Sequence, residues 1–361
     1  MGGSCRGEGT LAAVVTAADR DAALQPLLDR YAERIGGELR RAFAGRNLVH
    51  YSLMRYHLGW EDREGRPQEA RHGKLLRPLL CVTSCEAVGG DAETSLPLAA
   101  AVELLHNFSL IHDDIEDGSP QRHGRDAVWH VWGVPQAVNA GDGVFALAHV
   151  ALDRLSQAGV DAPRVLAATR LLDTASLRLC EGQYLDLAFE ERLDVSSAEY
   201  LQMVSGKTAA LMAAAAGSGA LLGEASPNAV SAFERFGEKL GFAFQVRDDV
   251  LGIWGESRET GKPTGEDIRE RKKSFPVVFA MERTGSDGDE LRTIYSKDKL
   301  SEEDVARASM LLERTGARDR SQETASRYAV EALQCLDGID LMPERRRDLE
   351  LLADYFVNRE A

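Results

Sequence analysis

Apolar residues recur along this chain at steps of three and four, with Leu, Ala, Glu and Arg carrying most of the pattern. That period is the signature of helices with one buried side, and alternating β-branched runs are nearly absent. Breaker-rich stretches divide the pattern at residues 58–73, 88–97, 117–126, 224–229, 255–267 and 283–290. The segments between them predict helices, several long enough to cross a domain. No internal repeat or interdomain linker interrupts them. Residues 1–18 are expected to form a flexible tail and residues 19–361 one all-α domain, a single large helical bundle.

Three predicted helix faces share a design. In "ELLHNFSLIHDDIED" (103–117), helical spacing lines up His106, Ser109, Asp113 and Asp117 with Val102. This narrow polar stripe runs between Leu104, Leu105, Phe108, Leu110 and Ile111, so it faces a cavity or a small solvated seam. In "ERFGEKLGFAFQVRDDVLGIWG" (234–255), Gly237, Gly241, Phe244 or Gln245, Asp248 and Gly252 align, and Asp249 adds a second acid. Glycine inside a helix costs about 1 kcal/mol relative to alanine. Repetition on one face therefore predicts that something passes close to the backbone. A third helix, "SGKTAALMAAAAGSGALLG" (205–223), is expected to start at Lys207 and Thr208, with Ala210, Ala214 and Gly217 below the cation.

Two Asp clusters brought together need a counter-ion to remain charged. Mg²⁺ meets that need with one or two carboxylates, several waters and substrate phosphate oxygens. The pattern predicts an anionic head group held above an apolar slot. Taken singly, each feature has a plainer reading. A short acid cluster is usually a solvated helix end, His106 alone is a core histidine, and the alanine run alone is helix packing. Their joint occurrence is what points to a site.

Composition narrows the partners. The chain is 44% hydrophobic and 28% charged, an ordinary globular balance, and its formal net charge is −15. Such a surface argues against nonspecific nucleic-acid binding while leaving room for a local basic pocket. Five cysteines, at 5, 81, 85, 180 and 335, form no CxxC pair and read as reduced thiols of a cytoplasmic protein. The N-terminus is a poor signal peptide. The stretch 209–223 is too short and alanine-rich for a transmembrane segment.

Six ordered motifs then resemble those of the trans-prenyl diphosphate synthases, the polyprenyl synthetase family, over roughly residues 25–358. They are "GKLLRP" (73–78), "HDDIED" followed by "RHGR" (112–125), "CEGQYLDL" (180–187), "GKTAAL" (206–211), "AFQVRDDVLGIWG" (243–255) and "GKPTGEDIRERKKSFPVV" (261–278). The resemblance implies helices around a deep central cavity, the isoprenoid synthase type I fold, in a homodimer. It implies Mg²⁺ as cofactor, three ions held with an allylic diphosphate. Asp113, Asp117 and Asp248 match direct metal ligands, while Asp114 and Asp249 match supporting acids of the metal site. Arg122, Lys207 and Lys262 match the grip on the allylic diphosphate, with Lys272 nearby. Lys74, Arg77 and His106 match the pocket for isopentenyl diphosphate. Gln183, Asp186, Thr208 and Gln245 match residues lining the reacting centre.

The implied reaction is ionisation of the allylic diphosphate, attack by isopentenyl diphosphate on the cation beside Lys207, Thr208 and Gln245, and proton loss to the released diphosphate. No side-chain nucleophile is needed, and no Ser-His-Asp or Cys-His arrangement stands out. Three positions depart from the family pattern. Gly252 replaces the third acid of the second Asp motif, His123 stands in place of an arginine of the isopentenyl diphosphate pocket, and Asp126 takes the place of a common proline. These changes keep a class I terpene synthase as the rival reading. Lys74 and Arg77 favour elongation over it. A non-catalytic partner subunit is disfavoured because Asp113, Asp114 and Asp117 are all present. The "HD" at 112–113 also suggests a phosphohydrolase, but the remaining histidines form no clear ligand set. Phe108 and Ser109, five and four residues before Asp113, resemble the chain-length positions of geranylgeranyl (C20) synthases. Face counting puts Ser109, not Phe108, directly below Asp113.

Overall fold

The computed structural model describes residues 17–68, 73–255 and 264–358. Lys262, Cys5 and residues 1–16 of the expected tail lie outside them. Helix α1 (Ala17–Ala42) already begins two residues before the expected tail boundary.

The predicted all-α architecture is the observed one. After α1 come α2 (Val49–His57), α3 (Leu76–Ala87), α4 (Ala92–Glu116), α5 (Val128–Trp132), α6 (Val134–Gln157), α7 (Ala162–Glu190), α8 (Ser197–Val204), α9 (Ala210–Leu222) and α10 (Pro227–Trp254). A further run of helices follows from Glu266–Arg269 to Pro343–Asn358. Among the described residues, the one sheet is a two-stranded hairpin, β1 (Gln121–Arg122) paired antiparallel with β2 (Arg125–Asp126).

Helix α4 is the axis of the bundle and packs on α3, α6 and α9. Its residues Leu98 to Val102, together with Leu104, are fully buried. That explains its length and apolarity: it is long and apolar enough to cross a membrane, but 83% of its apolar window lies inside the fold. The breaker reading of 88–97 is too wide. Asp91 caps α4 by accepting from the Glu93 N–H at 3.0 Å, and the helix runs on through Pro97.

Two expectations about the small-residue helices are corrected. Lys207 and Thr208 do not start a helix. The chain enters α8 through a capping box at Ser196 and Glu199, and α8 runs into a π turn, Ser205–Ala209, which leads directly into α9. The glycine face of α10 is a helix-packing seam rather than the floor of a slot. A Cβ on Gly237 would stand 2.4 Å from the Met212 carbonyl oxygen, and one on Gly241 would stand 2.4 Å from the Ala209 Cα. What passes close to those glycines is the backbone of α9 and of the π turn.

Candidate active site

Two helix C-termini define the site. Peptide dipoles leave partial negative charge at a helix C-terminus, so acids there are unfavourable and cations favourable. Helix α4 nevertheless ends with Asp113, Glu116 and the C-cap Asp117, and has no base in its last turn. Helix α10 carries Asp248 and Asp249 near its end, again without a base in its last turn. Burial pushes the Asp113 carboxyl up to about 6, and Asp117 and Glu116 push the same way against Lys207 and Arg122. This concentration of carboxylate calls for added positive charge.

Lys207 meets the α4 end. Its amine donates to Asp186 on α7. Burial alone would lower its pKa, but Asp186, Asp113 and Asp117 reverse that and hold the ammonium charged. Asp186 also faces the other end: together with Asp249 and Asp248 it reinforces the upward shift that burial imposes on the Tyr200 phenol. Asp186 on α7 thus stands between the acids of α4 and the acid pair of α10. Lys272 enters from the C-terminal side, where Asp267, Glu270 and Asp117 raise its pKa against burial. Gln183 donates to Glu116 at 2.7 Å and ties α7 to the tip of α4.

The π turn sets where Lys207 points. A π turn inserts one extra residue into a helix and redirects the side chains around it, which is why such turns recur at functional sites. Here α7 crosses so closely that a Cβ on Gly182 would stand 2.1 Å from the Lys207 backbone nitrogen. A Cβ on Gly206 would stand 2.4 Å from the Arg178 carbonyl oxygen. Two glycines from distant segments are needed at one contact.

The second acid of each pair is bound into the protein. Asp114 is 2% exposed and accepts from Arg122 at 2.8 Å. Asp249 is 6% exposed and accepts from the Tyr200 hydroxyl at 2.6 Å, the Phe275 backbone N–H at 2.6 Å and Gln245 at 3.0 Å. Burial raises the Asp249 carboxyl to about 7 despite those donors. Gln245 in turn accepts from Thr208 at 2.7 Å. The chain Thr208–Gln245–Asp249–Tyr200 fixes which end of the Gln245 amide faces the π turn.

A cavity of about 150 Å³ opens beside the acid stripe, on the α4 face that carries Glu103, His106, Asn107 and Leu110. Arg122, His123 and Arg125 line its other side. His106 contacts Arg77 at 3.2 Å. Burial and the cations Arg77 and Arg122 push the His106 pKa well down, so the ring is neutral. His123 sits at the hairpin tip with φ +52, followed by Gly124 at φ +74. The structure thus gathers Arg77, His106, Arg122 and His123. It turns Lys74 elsewhere: its amine donates to Asp21 at 2.9 Å and to the Tyr355 hydroxyl. Asp126 anchors the hairpin by pairing with Arg63.

Sequence reasoning missed His57 and Arg125. His57 lines the cavity from the end of α2, and burial, Arg122 and His123 lower its pKa to about 3. Arg125 lies over the Tyr56 ring, 4.1 Å from its centroid, and donates to the Tyr56 and Glu61 carbonyls at 2.8 and 2.9 Å. No periodicity links these residues to His106; the loop after α2 and the hairpin bring them together. Phe108 points away from the acid stripe, toward α6, with its ring 5.2 Å from those of Phe145 and His112. Ser109 is buried on the stripe, and its hydroxyl donates to the His106 carbonyl at 2.8 Å.

The donor set suits a hard divalent ion. It consists of carboxylate oxygens in excess of cations, with Asp248 exposed at the rim. Among the described residues no three His, Cys, Asp or Glu side chains are grouped tightly enough to hold a metal alone.

An all-α bundle with carboxylate-tipped helix ends around a lysine, next to a cationic pocket, is the framework of a prenyltransferase. Residues 68–312 match the model of the polyprenyl synthetase family. The chain belongs to that family and is a trans-prenyltransferase. It is 38% identical over 343 residues to a (2E,6E)-farnesyl diphosphate synthase of Mycobacterium tuberculosis, covering 94% of this chain and 91% of that one. It is 38% identical over 328 residues to a geranylgeranyl diphosphate synthase of the same species, covering 91% of each. The crystal structure of a polyprenyl synthetase from Streptomyces coelicolor superposes with a TM-score of 0.86 at 39% identity, over 92% of this chain and 99% of that one.

Proposed function

We propose that this trans-prenyltransferase condenses an allylic diphosphate with isopentenyl diphosphate, with Mg²⁺ as cofactor, and makes the C20 product geranylgeranyl diphosphate. The observation that carries this reading is the shared wall between two unlike sites. Asp113 and Asp117 line one side of α4, the cationic cavity lies beside them, and Arg122 borders both. A leaving diphosphate fits the first site and a second diphosphate fits the cavity.

Asp113, Asp117 and Asp248 would hold the metal. Once bound, Mg²⁺ supplies positive charge to the departing diphosphate oxygens. Lys207, Lys272 and Arg122 bind the same group and compensate the charge that develops as the C–O bond breaks. The π-turn carbonyls of Lys207 and Thr208 and the amide oxygen of Gln245 turn negative dipole ends toward the allylic cation. Arg77, His106 and His123, extended by His57 and Arg125, orient isopentenyl diphosphate so that its double bond reaches that cation. The proton lost afterwards passes to the released diphosphate. The cavity also favours this reading over a terpene cyclase, which needs the ionising side alone.

Chain length is read from Phe108 and its contact with Phe145, an aromatic barrier beside α4. A homodimer is supported by apolar side chains that this fold leaves exposed on adjacent helices: Val134, Val138 and Val150 on α6, and Leu166, Leu177 and Tyr184 on α7. A cytoplasmic site of action is supported by Cys81, Cys85, Cys180 and Cys335, all thiols.

The deciding experiment incubates purified protein with Mg²⁺, isopentenyl diphosphate and farnesyl diphosphate and reads products by mass. A C20 diphosphate is expected. A hydrocarbon formed in a parallel tube without isopentenyl diphosphate would replace this reading with cyclisation.

A further inference from the structure

Arg178, Gly182 and Asp186 follow one another at steps of four, so they share one face of α7. All three meet the π turn. Asp186 accepts from the Lys207 amine, Gly182 lets the Lys207 backbone pass, and the Arg178 carbonyl leaves no room for a side chain at Gly206. Arg178 adds its guanidinium. Its Nη2 donates to the Ser205 hydroxyl at 2.6 Å and to the Ser205 carbonyl at 3.2 Å, and pairs with Glu238 of α10 at 3.3 Å. The Ser205 hydroxyl itself donates to Glu238 at 3.4 Å.

Ser205 is the first residue of the π turn. Such a turn spaces its hydrogen bonds more widely than the helices on either side, and isolated ones are rare. Arg178 ties that first residue to α7 and α10 at once. Its side chain is 38% exposed and that of Glu238 33%, so the ion pair adds little to global stability. Its effect is local. It favours the wider turn over a continuous α-helix, and with that turn the direction of the Lys207 amine and of the Lys207 and Thr208 carbonyls.

We propose that Arg178 is a positioning residue for the transfer reaction, holding the π turn in place through Ser205 and Glu238. The idea rests on the roles given to Lys207 and Thr208 above, and its test separates the two. Amide hydrogen exchange, read by mass without substrate, is combined with steady-state kinetics on farnesyl and isopentenyl diphosphates. In Arg178→Met, peptides covering residues 205–211 should exchange about 10-fold faster, while those of α4 stay at the wild-type rate. The melting temperature should stay within about 3 °C of wild type. kcat should fall about 10- to 100-fold, with the KM for isopentenyl diphosphate within about 2-fold of wild type. One nitrogen makes all three contacts, so a lysine ammonium, with three donors, can replace it. Arg178→Lys should therefore bring both readouts back to within about 3-fold of wild type. Should Arg178→Met not fold, Ser205→Ala, which removes only the hydroxyl link, should still speed exchange of the same peptides about 3-fold. Wild-type exchange at 205–211 or wild-type kcat in Arg178→Met, or no recovery in Arg178→Lys, would overturn the proposal. A wild type that forms no elongated product would remove the functional reading instead, and the exchange data would still decide whether Arg178 holds the turn.

Discussion

The Tyr200 hydroxyl donates to Asp249 at 2.6 Å, 49 residues along the chain and wholly inside the protein. This contact holds the Gln245–Thr208 pair in register, so a group that touches no substrate decides how the cation-facing amide is oriented. Tyr200→Phe removes one donor from a buried carboxylate. The expected cost is about 1–3 kcal/mol of stability, checked by urea unfolding. Turnover should fall while the KM for the allylic diphosphate stays near its wild-type value.

Asp113 sets function against stability. Its folded pKa of about 6 lies above the ordinary aspartate value of 3.8. The sign follows: the protonated carboxyl is the form the fold prefers, so its contribution is intact below pH 4 and lost as pH rises to 6. Asp113→Asn should therefore be more stable than wild type above pH 6, by about 1–2 kcal/mol once partial solvent screening is allowed for. The difference should close near pH 4. Thermal melts of the metal-free proteins across pH 4–8 check this, and the same variant should be inactive.

Arg122 neutralises Asp114 from outside the helix. Arg122→Ala strands a charge that is 2% exposed, and about 2–4 kcal/mol of stability should be lost. The double variant with Asp114→Asn should recover most of that stability, but not the KM for either diphosphate. Denaturant titration and steady-state kinetics on the two proteins distinguish the structural from the binding part.

Gly241 and Gly37 should respond in opposite directions. Gly241→Ala pushes a methyl to 2.4 Å from the Ala209 Cα, which prises the π turn off α10. About 1–3 kcal/mol of stability should go, and kcat should drop at least 10-fold because Lys207 and Thr208 ride on that turn. Gly37→Ala meets nothing within 4 Å on α1 and lies outside the cavity lining, so it should stabilise by about 0.5–1 kcal/mol with unchanged kinetics. Melting temperatures and kcat of both variants provide the check.

Phe108→Ala removes the ring that packs on Phe145. Products longer than the wild-type product are expected, at a stability cost of about 3 kcal/mol. Mass analysis of the chain-length distribution decides it. An unchanged product would assign Phe108 to core packing and move the length barrier to the Ser109 side of α4.

The sequence by itself determined the helical class, the two acid clusters and the order of the six motifs. These are local properties: a 3.6-residue period and the spacing of like residues within one or two turns survive in one dimension. It also carried the pairing of polar stripe and apolar flank on α4, because both lie on one helix. Only the tertiary structure decided what each acid does. Asp113 and Asp114 are neighbours in the chain, yet a 100° step on α4 sends one toward Lys207 and the other onto Arg122. It likewise decided that glycines 237 and 241 admit a neighbouring helix rather than a ligand, that Lys207 sits in a π turn, and that His57 and Arg125 join His106. Those outcomes depend on which backbones approach within van der Waals distance across tens to hundreds of residues. No periodic pattern encodes that.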